Sequence, residues 1–139
     1  MTKGLAVKIY LLVALGSLIG GGARALISLQ TVAWYGAGFP WGTLFVNITG
    51  SFAIGLYATL CGPRGRRPAS DHAQQFTIAG LCGGYTTFSI FSLESIALFE
   101  SGDHITAISY VFASVSSWLG AVWLGVRLGE RLNTREPAH

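Results

Sequence analysis

The chain has 139 residues, of which 51% are hydrophobic and 11% charged, and it carries a formal net charge of +3. Soluble domains carry about 25% charged residues, so charge this thin cannot clothe a water-facing surface, whereas lipid can cover the apolar faces instead. The composition thus argues against a soluble enzyme, and no basic stretch interleaved with aromatics suggests a nucleic-acid partner. Cys61 and Cys82 stand alone, with no Cys-x-x-Cys or Cys/His cluster to make a disulfide framework or a thiolate metal site.

Four segments approach the roughly 20 residues that a bilayer requires. The first spans residues 5–29 and has Arg24 near its far end. Lys3 and Lys8 resemble the basic start of a signal peptide, but apolar character continues too long for one, and a true first span is expected. Residues 30–40 are uncharged and hold Trp34, Tyr35 and Phe39, just before Trp41, as in a headgroup-level aromatic belt. The second span covers 41–60. A basic loop with Arg64, Arg66 and Arg67 leads to the third, over 74–99. A tight turn at 101–104 precedes the fourth, over 105–128. A polar tail occupies 129–139, and its last residues are expected to be disordered. The whole chain, 1–139, reads as a single four-span domain, all-α and integral to the membrane.

Lys and Arg set orientation. Lys3, Lys8, Arg64, Arg66, Arg67, Arg127, Arg131 and Arg135 fall on one side and Arg24 alone on the other, so both termini are expected in the cytoplasm.

Polar chemistry concentrates in two spans. In the second, Thr43, Asn47 and Gly50 share a helix face. Asn47 lies in apolar sequence, where it acts either as an interhelical hydrogen-bonding bridge or as an amide donor to an anion. Gly50, Ser51 and Gly55 suit close helix packing. The third span contains Gly83-Gly84-Tyr85-Thr86-Thr87-Phe88-Ser89-Ile90-Phe91-Ser92, and its paired glycines and paired β-branched threonines predict a helix break near its middle. A broken helix at membrane depth survives where it is buried in protein or lines a cavity, and its exposed carbonyls suit a cation. A kinked, continuous helix used only for packing is the alternative. Phe88 and Phe91, three apart, either pack in the core or present electropositive ring edges to an anion. Glu94 and Arg24 are intramembrane ionisable groups, either facing aqueous vestibules or paired with each other. Tyr110, Ser114 and Ser117 make a hydroxyl stripe on the fourth span. His72, His104 and His139 fall in loops or the tail and are expected to be solvated.

Gly20-Gly21-x-x-Arg24, Gly42-Thr43-x-x-Val46-Asn47-x-x-Gly50 and the third-span run from Gly83 through Glu94 together resemble the CrcB/Fluc fluoride channels over essentially the whole chain. The resemblance implies a fluoride-selective channel of the bacterial inner membrane, exporting the ion passively as an antiparallel dimer with a central sodium ion. By that resemblance Asn47, Phe88, Ser89, Phe91, Tyr110 and Ser114 line the fluoride pore. Arg24 and Glu94 sit at vestibules, and the carbonyls of Gly83 and Thr86 hold Na+. Two departures stand out. Ile90 occupies a position where the family usually has Thr. The one-sided distribution of Lys and Arg predicts a single orientation, hence pairing with an oppositely oriented homologue rather than with itself. A small proton-coupled multidrug exporter is the rival transporter, but its expected first-span carboxylate is missing here. A non-conducting structural subunit is the remaining alternative.

Overall fold

The computed structural model describes residues 3–134, and among these every regular element is helical. Helix α1 covers Lys3–Tyr35 and α2 covers Trp41–Cys61. Then come a short α3, Asp71–Gln74, a π-helical stretch, Gln75–Cys82, and one turn of α4, Gly83–Tyr85. Helix α5 covers Ser89–Glu100 and α6 covers His104–Asn133. Four helical runs are long and apolar enough to cross a membrane: Gly4–Tyr35, Trp41–Cys61, Asp71–Glu100 and His104–Asn133.

The spans sit where hydropathy puts them, but three helices outrun it. Helix α1 does not stop near Leu29. It continues to Tyr35, and at 33 residues it is about 50 Å long, well beyond a hydrocarbon core of about 30 Å. Gln30 and Thr31 look like loop residues by polarity, yet the Thr31 hydroxyl returns to the Ile27 carbonyl at 2.9 Å and the helix carries on. The third run begins at Asp71, three residues before the expected start, because Ser70 caps α3 by accepting from the Ala73 N–H. Helix α6 likewise takes in the start of the expected polar tail, ending at Asn133. The disorder expected of the last residues, and Arg135, lie outside the described residues.

Two helix pairs form the body, α1 against the third run and α2 against α6. Small residues permit the first pair. A methyl group on Gly80 would lie 2.9 Å from the Val13 carbonyl oxygen, and one on Gly84 2.6 Å from that of Ser17. Across the contact, Gly16 and Gly20 meet Phe76 and Leu81 just as closely. Glycines four apart on both helices therefore let the backbones touch, the usual route to tight packing when lipid supplies no hydrophobic drive between helices. Gly55 serves α2 the same way, with its missing Cβ 2.5 Å from the Val122 carbonyl oxygen. Leu18, Phe112 and Ile105 point outward, as a lipid-facing exterior demands.

The loops are held at their ends. Gly102, at φ +86°, makes the turn before α6, and the Asp103 carboxylate accepts from the Thr106 N–H at 3.1 Å. The basic loop is tied to the end of α6, since Arg66 N–H donates to Asn133 Oδ1 at 2.9 Å and Asn133 Nδ2 donates to the Thr59 carbonyl at 3.1 Å.

Candidate functional site

The third run does break, but one turn later than its glycines suggest. Gly83 to Tyr85 remain helical, and the chain turns extended at Thr86, with φ −83° and ψ 160°. Three side chains then take over hydrogen bonds that the helix gives up. Asn47 on α2 makes a reciprocal pair with Thr87, its Nδ2 donating to the Thr87 carbonyl at 2.8 Å while its Oδ1 accepts from the Thr87 N–H at 2.7 Å. Arg24 on α1 donates through Nε to the Gly84 carbonyl at 3.1 Å. The Thr87 hydroxyl accepts from the Ile90 N–H at 3.2 Å and so satisfies a donor in the first turn of α5. Thr87 and Ile90 are the residues whose N–H groups would regularly reach the carbonyls of Gly83 and Thr86. Both are diverted, which leaves those two carbonyls without their helical donors.

Asn47 is therefore a bridge, and its amide keeps a proton that the bridge does not use. Its two bonds to Thr87 use one of its two amide protons. The other belongs to a residue that lines a cavity of about 360 Å³ together with Gly83, Thr86, Thr87, Phe88 and Trp118. Both sodium candidates, Gly83 and Thr86, thus share one cavity with Asn47 and Phe88.

Glu94 does not pair with Arg24. It joins three helices instead, since Thr43 Oγ1 donates to one carboxylate oxygen at 2.9 Å and Tyr110 donates to the other at 2.7 Å. Tyr110 is fully buried. A second cavity, of about 190 Å³, reaches Glu94 from between the end of α1 and the start of α2, past Ser28, Thr31, Phe39 and Trp41. The Phe39 ring stands edge-on to Tyr110 at 5.4 Å. Helix α1 passes Arg24 and continues to Tyr35, so this cation sits at the level of the break rather than at a span end.

Phe88 and Phe91 lie 5.5 Å apart but differ in setting, Phe88 being 72% exposed and Phe91 6%. Phe91 is held between Tyr110, at 5.4 Å, and Trp118, at 4.7 Å and nearly perpendicular. Ser89 is exposed, its hydroxyl 3.2 Å from that of Thr87. Ser114 is fully buried and its hydroxyl has no partner. Ser117 leaves the stripe, because its hydroxyl donates back to the Ser114 carbonyl at 3.0 Å.

Comparison with known proteins decides the lineage, since the family model described as CrcB-like protein, Camphor Resistance (CrcB), matches residues 11–126. The chain belongs to the CrcB family. It is 51% identical to a protein of Rhodopseudomonas palustris named fluoride-specific ion channel FluC 1, over 90% of this chain and 89% of the relative. It is 50% identical to one of the same name in Bradyrhizobium diazoefficiens, over 90% and 87%. A Paramagnetospirillum magneticum protein named fluoride-specific ion channel FluC is 47% identical over 84% and 91%.

In this CrcB member, the residues singled out by sequence gather at two places. Asn47, Gly83, Thr86 and Phe88 share the cavity at the break, while Glu94, Tyr110 and Phe91 form a linked cluster beside it. Sequence reasoning missed Thr87 as the residue Asn47 holds, and Trp118 as a cavity wall. It also placed His72 in solvent, whereas His72 lies in α3 with its Nε2 buried and unpartnered. His104 is exposed, 4.5 Å from the Phe99 ring, and His139 lies outside the described residues. The adjacent threonines signalled the break but not which of them Asn47 would grip.

Proposed function

We propose that this CrcB-family chain is a fluoride-selective channel that lowers cytoplasmic fluoride by passive export. The observation that carries the reading is the cavity at the break, where a side-chain amide with a spare proton meets an exposed aromatic ring in a helix interrupted at membrane depth. Interrupted backbone in a membrane lines a path or a site. Relatives that match nearly the whole chain carry the name fluoride-specific ion channel.

Fluoride is small and strongly hydrated, so a path for it must replace water with donors yet bind weakly enough to release the ion. Asn47 supplies an amide proton, Ser89 and Ser114 supply hydroxyls, and Phe88 and Phe91 supply electropositive ring edges. Tyr110 fixes Glu94 and packs against Phe91. Glu94 borders the approach between α1 and α2, whereas Arg24 holds the Gly84 carbonyl at the break. The Glu94 carboxyl group is held by two hydroxyls beside the smaller cavity, so its orientation there is fixed.

The Gly83 and Thr86 carbonyls suit a sodium ion. Their helical donors are diverted, they share one cavity, and a hard cation takes oxygen ligands. Bound there, Na+ would supply a fixed positive charge that lowers the cost of an anion in the membrane interior.

The protein is multi-pass, and we place it in the inner membrane as an antiparallel dimer. The tie between Arg66 and Asn133 keeps the basic loop beside the end of α6, which supports counting their cations on one, cytoplasmic, side. That one-sided charge favours an oppositely oriented homologue as the dimer partner. Reconstitution of the purified chain alone, read with a fluoride electrode, tests both statements. Selective fluoride efflux supports the channel. Robust efflux together with crosslinks between antiparallel copies would rule out the need for a second chain.

A further inference from the structure

Among the described residues, three buried side-chain polar atoms have no hydrogen-bond partner: His72 Nε2, Ser114 Oγ and Trp118 Nε1. Two of the three lie four residues apart on α6. Tyr110 precedes them by another four, so all three side chains rise along one helix face at about 6 Å per step. The first step is anchored, because Tyr110 donates to Glu94. The next two are not. Ser117, which the spacing of hydroxyls would put in this series, has turned its proton to the Ser114 carbonyl. The third member is therefore an indole.

The setting of that indole is specific. Phe91 stands against it at 4.7 Å and 76°, which fixes the ring plane. Trp118 also borders the cavity at the break, together with Asn47, Thr87 and Phe88. An indole N–H is a donor and never an acceptor. It cannot ligate a cation, and it gives a water only one of the two to four partners that a buried water needs. A buried donor without a partner calls for an explanation, and a transient anion is one that fits its chemistry.

We propose that the Trp118 N–H donates directly to fluoride, and that with the Ser114 hydroxyl it forms the segment of the anion path between the Glu94–Tyr110 cluster and the cavity at the break. The inference rests on the fluoride reading given above.

The test uses the full chain in liposomes, with any dimer partner it requires, and compares wild type, Trp118→Phe and Trp123→Phe by fluoride-electrode efflux. Phe keeps a ring against Phe91 and removes the N–H. Incorporation of 3-benzothienylalanine at 118, isosteric with Trp but lacking the N–H, covers the case in which Phe fails to fold. A lost hydrogen bond to a charged ion predicts an efflux rate about ten- to hundredfold lower in both 118 variants, while the exposed Trp123 on the same helix leaves it unchanged. In parallel, the indole ¹⁵N–¹H resonance of Trp118, assigned by its loss in Trp118→Phe, is titrated with NaF and with NaCl in detergent. A saturable shift with NaF alone is expected. Wild-type efflux from the benzothienyl variant, or an indole resonance indifferent to NaF, overturns the proposal. A wild-type protein that moves no fluoride sinks the channel reading itself, a separate outcome.

Discussion

Replacing Asn47 with Ala removes both hydrogen bonds that hold Thr87 in place, at 2.8 and 2.7 Å. Asn47 is only 4% exposed, so the Thr87 N–H and carbonyl lose partners in largely buried surroundings. A buried polar group left unsatisfied costs about 1–3 kcal/mol, which makes about 2–6 kcal/mol for the two. The adjoining cavity can admit water to one side of Thr87, which favours the lower part of that range, about 2–3 kcal/mol. The broken geometry should then lose roughly 30- to 150-fold in relative population. Asn47→Asp separates the two roles of this residue. Its carboxylate still accepts from the Thr87 N–H, but it offers no proton to an anion and adds a negative charge to the cavity. The assay plots fluoride efflux from liposomes against melting temperature in detergent for wild type, Ala and Asp. If Asn47 both bridges helices and donates, Asp falls below the line through the other two, with efflux lost out of proportion to stability. Efflux that tracks stability along one line would refute the donor role. Wild-type stability in Asn47→Ala would refute the bridge.

Tyr110→Phe removes a 2.7 Å bond to a carboxylate, and it should lower stability by about 1.5–3 kcal/mol, measured by thermal unfolding; Glu94→Gln in the same background should then add less than it does alone. Gly84→Val brings a side chain within 2.6 Å of the Ser17 backbone, and it should abolish the monodisperse elution of the purified protein, whereas substitution of Gly22, which has open space around it, should not. The Asp103 carboxyl is held below the usual carboxylate range by hydrogen bonds from Thr106. Its capping is therefore complete above the ordinary Asp range and fades as pH falls through the lowered value, so melting temperature should drop with acidification in wild type and that portion of the pH dependence should vanish in Asp103→Asn.

The four spans were legible because lipid imposes one demand, apolar length, on every helix alike. Their ends were not. Gln30 and Thr31 read as loop by polarity, but a helix leaving the hydrocarbon core gains nothing by unwinding, and α1 runs on to Tyr35. The break was legible from Gly83-Gly84 and Thr86-Thr87, since both pairs oppose helix. Its position was fixed by something the local sequence cannot display: Asn47 and Arg24, 40 and 60 residues away, reach Thr87 and Gly84. The π-helical stretch from Gln75 to Cys82 precedes the break in an ordinary-looking apolar sequence, and its widening carried no compositional signal. Trp118 was overlooked because a tryptophan in a membrane span reads as packing. Only the absence of a partner for its N–H distinguishes it.

The way the break is held also bears on what covers it. Its stabilising side chains come from α1 and α2, on one side, through Arg24 and Asn47. Phe88, at the same break, is 72% exposed, and Gly83 is exposed beside it. Acyl chains could cover the phenyl ring at no cost, because both are apolar. They could not serve Gly83 and Thr86, whose carbonyls have lost their helical donors to Asn47 and the Thr87 hydroxyl. An unsatisfied backbone group against lipid costs several kcal/mol, so lipid alone is a poor lid for this surface. A protein face with a cation at the contact meets both requirements at once, which is why the dimer and the sodium ion belong to one proposal. The two should then fail together. Gly83→Leu, which puts a side chain into the cavity from the break side and replaces neither Asn47 nor Arg24, is expected to weaken dimerisation and to remove any dependence of thermal stability on Na+. Loss of the Na+ dependence with dimerisation intact, measured by crosslinking in liposomes, would show that cation and partner are held independently.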